Sequence, residues 1–242
     1  MSRLLAGSSV RTKLVVLAMV PLVAALVFAG MTVAERRSEA SAAAGFTRYA
    51  QGSVALGELL HELQRERGIS AVYIGSGGRK MAAELTEQRR LTDRAREAAD
   101  GFFAAHAAEL PQAATDAGRR LDEDLQGLAD ARAAADGLTT PGPQVAAYYT
   151  ATNETLLLAR VALAGAIREA SLTRLADAYT FLSRAKEQVG VGRALLASVF
   201  SADRFTGQQV QSTVAAMARR DAYLAGSRCG RRQRRGPSSP SS

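Results

Sequence analysis

Residues 14–34 read LVVLAMVPLVAALVFAGMTVA, 21 residues without a charge. Coiled as an α-helix, a stretch of that length matches the hydrocarbon thickness of a bilayer. In lipid every backbone N–H and C=O must be satisfied within the segment, which restricts such a stretch to helix. Pro21 is tolerated there. Arg3, Arg11 and Lys13 precede the run, whereas Glu35, Arg36, Arg37 and Glu39 behind it balance one another. This asymmetry predicts a membrane helix crossing once, with residues 1–13 cytoplasmic and the residues after the helix extracellular. The alternative is a cleaved signal peptide. Its apolar core would be unusually long, and no clean A-x-A site closes it.

A second pattern begins at Leu56. Leu56, Leu60, Leu63, Arg67, Ser70 and Ile74 recur three or four residues apart, which puts them on one face of a helix. An arginine on that face cannot shed its charge. Buried among apolar side chains, it needs a carboxylate or a bound anion opposite it. Asp93 or another carboxylate would fix helix register. A small planar anion would make the arginine a ligand-binding group, because a guanidinium offers a flat fork of donors. The pattern recurs in Leu175, Tyr179, Leu182, Val189, Leu196 and Phe200, with Arg193 on the same stripe. Tyr179 reads there as core packing, with a hydroxyl that could also serve a ligand.

The net charge of +8 raises the question of nucleic acid. Its distribution argues against it. The leading end holds three of these charges and residues 219–235 hold six, which leaves residues 14–218 with one net negative charge. No basic face with interleaved aromatics is present to follow a phosphate backbone. Catalysis finds no support either: there is no glycine-rich phosphate loop, Ser/His/Asp set or metal-ligand spacing. His61 and His106 are isolated, and the single cysteine, Cys229, allows neither disulfide nor metal cluster. No cofactor, metal or catalytic residue is expected.

Abundant alanine and leucine with few prolines predict an all-α fold: a transmembrane helix followed by up-down antiparallel bundles. Helices are expected over residues 46–73 and 79–106, with a turn at residues 75–78. Leu85, Thr92, Ala99 and Phe102 face inward on the second. A charged helix over residues 111–136 completes a first half, residues 35–136. Residues 137–143, GLTTPGP, are the strongest linker signal in the body. A second, incomplete half spans residues 144–225, with helices over 144–170 and around Arg193, a turn at 201–206 and a last helix. Residues 226–242 form a basic tail with almost no apolar side chain, expected to be disordered. Its abrupt change of character reads as an out-of-frame or truncated end.

Two blocks of sequence carry a resemblance. One is Leu63-Gln64-Arg65-Glu66-Arg67-Gly68, followed by Gln88-Arg89-Arg90-Leu91-Thr92-Asp93. The other is Ala178, Tyr179, Leu182, Ala185, Lys186 and Glu187, followed by Gly190, Val191, Gly192, Arg193 and Ala194. Together these resemble the nitrate- and nitrite-sensing domain family. Gly192 stands where that family usually has glutamate. The resemblance implies paired helical bundles that hold nitrate or nitrite between helices, with Arg67, Arg193 and Arg65 as ligand-binding residues. Glu66 and Asp93 are then partners that orient arginines, since a carboxylate beside a bound anion would repel it. The resemblance further implies a receptor acting as a homodimer, the sensor part of an actinobacterial-type membrane histidine kinase whose kinase region is not in this sequence. A ligand-independent helical interaction module with purely structural arginines is the competing reading.

Overall fold

The structure, a computed structural model, describes residues 10–165, 167, 170–202 and 206–232. These form seven α-helices, and no strand occurs among the described residues. The all-α expectation holds. The chain divides into two compact units, Met1–Ala44 and Gly45–Ser242.

The described part of the first unit belongs to helix α1 (Val10–Gly75), which contains Pro21. Leu22, Leu26, Val27 and Phe28 are all exposed. The most apolar stretch of α1 is not buried against any other part of the chain. Such a segment is long and apolar enough to cross a membrane. Residues 1–9, including Arg3 of the expected cytoplasmic end, lie outside the described residues.

In the second unit, α1 contributes the stripe expected of it: Leu56, Leu60, Leu63, Arg67 and Ser70 are buried. Gly77 and Gly78, both at positive φ, turn the chain into α2 (Ala82–His106). There Leu85, Thr92, Ala99 and Phe102 face inward, as their spacing requires. The expected charged helix over 111–136 is instead two, α3 (Gln112–Gln126) and α4 (Leu128–Asp136), broken at Gly127. The Tyr148 ring lies where a side chain at Gly127 would go, with 3.1 Å between its Cε2 and an ideal Cβ. Its hydroxyl donates to the Asp124 carbonyl at 2.7 Å, an oxygen that also accepts from the Gly127 N–H at 3.2 Å.

Helix α5 (Gly142–Ala164) packs against α3, and its Val145, Tyr149, Leu156, Leu157 and Leu163 share one core with Leu56, Leu59, Leu60 and Leu63 of α1. Residues on both sides of the 137–143 stretch therefore meet in a single apolar cluster. Helices α6 (Ala170–Ala202) and α7 (Gly207–Arg232) pack on each other, and α6 packs on α5. Residues 203–205, in the turn expected before α7, lie outside the described residues. Helix α7 runs on to Arg232, into the stretch whose composition predicts disorder. Helix propagation needs only local bonds, and arginine is a good helix former. Residues 233–242 lie outside the described residues.

The buried face of α6 departs from expectation. Leu175, Tyr179, Leu182, Val189 and Phe200 are exposed, while Ala176, Ser183, Ala185, Glu187, Ala194 and Val199 are buried. Small side chains let neighbouring helices approach closely, so this face packs and the bulky one does not. Tyr179 is accordingly not a core residue; its ring lies 4.4 Å from the Arg160 guanidinium.

Candidate functional site

Arg67 continues the Leu56–Leu60–Leu63 stripe of α1 and is 1% exposed. Its Nη1 donates to Glu187 Oε1 at 2.5 Å and to Thr150 Oγ1 at 2.9 Å. The Thr150 hydroxyl gives its own proton to the Ala146 carbonyl, which leaves its oxygen free to accept. Glu187, on α6, is equally buried and takes further bonds from Gln64 at 2.7 Å and Asn153 at 3.2 Å. Thus α1, α5 and α6 meet at one charge pair.

That pair uses only one nitrogen of the guanidinium. Arg67 Nε and Nη2 are buried and have no hydrogen-bond partner among the described residues. These two atoms form the side-on edge of the fork, the geometry that matches a planar oxyanion with two parallel bonds. Nη2 lies against Gly190 on α6, only 2.7 Å from where a β-carbon would stand. Arg67 also lines a cavity of about 670 Å³ between α1, α5, α6 and α7. Its other walls include several alanines, with Thr150, Gln188, Ser212, Tyr223 and a second arginine, Arg219, among the polar residues. Glu154, the cavity's second carboxylate, is paired with Arg184 at 2.5 Å. Burial opposes the Arg184 charge, but Glu154 and Tyr223 more than offset this and raise its pKa.

A separate ionic cluster holds the other side of α1. Glu66, fully buried, receives Arg132 Nε at 2.7 Å and Nη2 at 2.9 Å, a two-pronged pair, and the Tyr149 hydroxyl at 2.9 Å. Asp93 accepts from Arg132 Nη1 at 2.7 Å, and Arg89 binds Asp136. Burial works against the Arg132 charge, but hydrogen bonding and attraction from Glu66, then Asp93, raise its pKa overall. Burial first, and then the Glu66 charge, push the Tyr149 hydroxyl up, so it remains a donor. Breaking such a buried pair by removing one member typically costs about 3–5 kcal/mol.

The residues singled out from sequence are thus distributed over different places. Arg67 is buried beside the cavity. Arg65 and Arg193 are exposed and do not line it. Glu66 and Asp93 both accept hydrogen bonds from Arg132 on α4. Sequence reading missed Glu187 and Thr150 as partners of Arg67, Asn153 as a partner of Glu187, and Arg219 as a second cation on the cavity wall. Gln64 and Glu187 were visible as members of the two sequence blocks, yet no spacing rule says that residues 64 and 187 touch. His61 lies by Lys186 and His106 by the Phe102 carbonyl, and no metal-ligand group occurs among the described residues.

A family model described as nitrate and nitrite sensing matches residues 58–231. Among solved structures, the structure of the NasR transcription antiterminator is similar, with a TM-score of 0.73 at 21% identity. The match covers 82% of this chain and 55% of that one, so the chain spans little more than half of its structural neighbour. At that identity the likeness speaks for the fold. No curated protein matches the chain.

Proposed function

This chain belongs to the nitrate and nitrite sensing family, and on that premise we propose that it binds a small planar oxyanion, nitrate or nitrite, at Arg67. The observation that carries the reading is the buried Nε/Nη2 edge of Arg67, without a protein partner among the described residues, on a residue that lines the cavity. In a partly dry site two parallel bonds from a guanidinium to such an anion are stronger than on the surface. Arg219, on the cavity wall contributed by α7, supplies a second positive charge. Arg193 and Arg65, both exposed, serve as outer cations that draw the anion in. Glu66 and Asp93 hold Arg132 and so keep α1 in register.

Residues 14–34 anchor the chain in a bilayer, with residues 1–13 cytoplasmic and the bundle outside. Anion binding favours one arrangement of α1, α6 and α7 over another, and a shift of α1 carries that preference across the membrane. In this reading the chain is the sensor part of a two-component receptor, acting as a homodimer. A specific observation favours a second reading, an interaction module with structural arginines: Arg67 already has an internal carboxylate, Glu187.

Calorimetric titration of the full chain in lipid nanodiscs with nitrate, nitrite and chloride separates the two. The sensor reading expects saturable heat with the two planar or bent oxyanions and little with chloride. No saturable binding of either oxyanion overturns it.

A further inference from the structure

Glu187 is more than a neighbour of the proposed anion. Its carboxylate sits 2.5 Å from Arg67 Nη1 and is buried with it. An anion received on Nε and Nη2 of the same guanidinium would give one positive charge two negative partners. Each would be held away from water, an arrangement that like-charge repulsion and desolvation both oppose. The guanidinium has little room to move aside. Gly190 brings the α6 backbone against Nη2, while Glu187, less than one turn earlier on the same helix, holds Nη1.

We infer that Glu187 is an internal competitor of the anion: it occupies Arg67 in the ligand-free state and loosens its hold when the ligand binds. This rests on the proposed binding of an anion at Arg67 and adds a specific residue to it. Glu187 sets the affinity of the site, because ligand energy is drawn off in weakening the Arg67–Glu187 contact. It also supplies the coupling. Arg67 is on α1 and Glu187 on α6, so exchanging one negative partner for another changes what ties those two helices together. Gln64 from α1 and Asn153 from α5 hold the carboxylate in its ligand-free position.

The test is nitrate titration of the full chain in nanodiscs, comparing wild type, Glu187→Gln and Asn153→Ala. Glu187→Gln keeps the shape and the acceptor oxygen but removes the charge. It is expected to bind nitrate at least about tenfold more tightly than wild type. Asn153→Ala leaves both charged groups in place and removes one bond that holds Glu187. It is expected to shift affinity the same way by a smaller factor, and it decides the matter should Glu187→Gln fail to fold. Wild-type binding with equal or weaker binding in the variants overturns the inference and makes Glu187 a positioning residue only. No nitrate binding in any of the three overturns the anion reading itself, and this inference with it.

Discussion

Arg67 shows how far a single residue can be read from its neighbours in sequence. Its place on an apolar stripe predicts burial, and it is 1% exposed. What sits opposite could not be read, because Glu187 lies on a helix that only the tertiary fold brings to α1. Arg193 shows the opposite case. Its flanking Val189 and Leu196 suggest an inward face, yet Arg193 is exposed, because α6 turns its alanines inward instead. Two substitutions at Arg67 separate charge from shape. Arg67→Ala leaves Glu187 buried without a counter-charge and should cost about 3–5 kcal/mol of stability, read as a lowered denaturation midpoint. Arg67→Lys keeps a positive charge near Glu187 and should retain more of that stability. It should still lose nitrate binding, because an ammonium cannot present two parallel donors. Nitrate binding retained by the lysine variant would show that charge, not the fork, recognises the ligand.

At the scale of helices, the turn expected at residues 75–78 falls where Gly77 and Gly78 take positive φ, but the helices expected over residues 14–34 and 46–73 are one, α1. Bulk proved a poor guide further along, since α6 packs through small side chains and leaves its large ones outside. The same close approach occurs at Gly52 on α1. A β-carbon there would stand 2.5 Å from the Phe102 ring of α2 and 2.8 Å from Leu163 of α5. Gly52→Ala is intrinsically favourable for helix, but here the ring is hemmed in by the core it helps to form. The variant is expected to lose about 1–3 kcal/mol, seen as a lower melting temperature by circular dichroism. An unchanged or raised melting temperature would mean that the core can open without strain at this point. The break at Gly127 was illegible for a related reason: it depends on Tyr148, which comes from another helix.

For the whole molecule, the division into an exposed apolar helix and a packed bundle was legible, because 21 uncharged residues have few other uses. If residues 14–34 anchor the chain, the full chain should sediment with membranes and resist high-salt and alkaline washing. Removing residues 1–34 should release a soluble protein whose melting temperature changes by only a few degrees. Release of the full chain by alkaline washing would argue against the anchor.

Glu66 and Arg67 are consecutive, yet they grip different helices: one holds Arg132 of α4, the other Glu187 of α6. Tyr149 and Thr150, also consecutive, answer them from α5. Successive residues on a helix point about 100° apart, so these contacts key the azimuth of α1 as two adjacent teeth key a cog. A swivel of α1 in either direction would strip both at once. Whatever passes along this helix must therefore respect that keying, and single-residue insertions just before Glu66 should be far more disruptive than the residues they add.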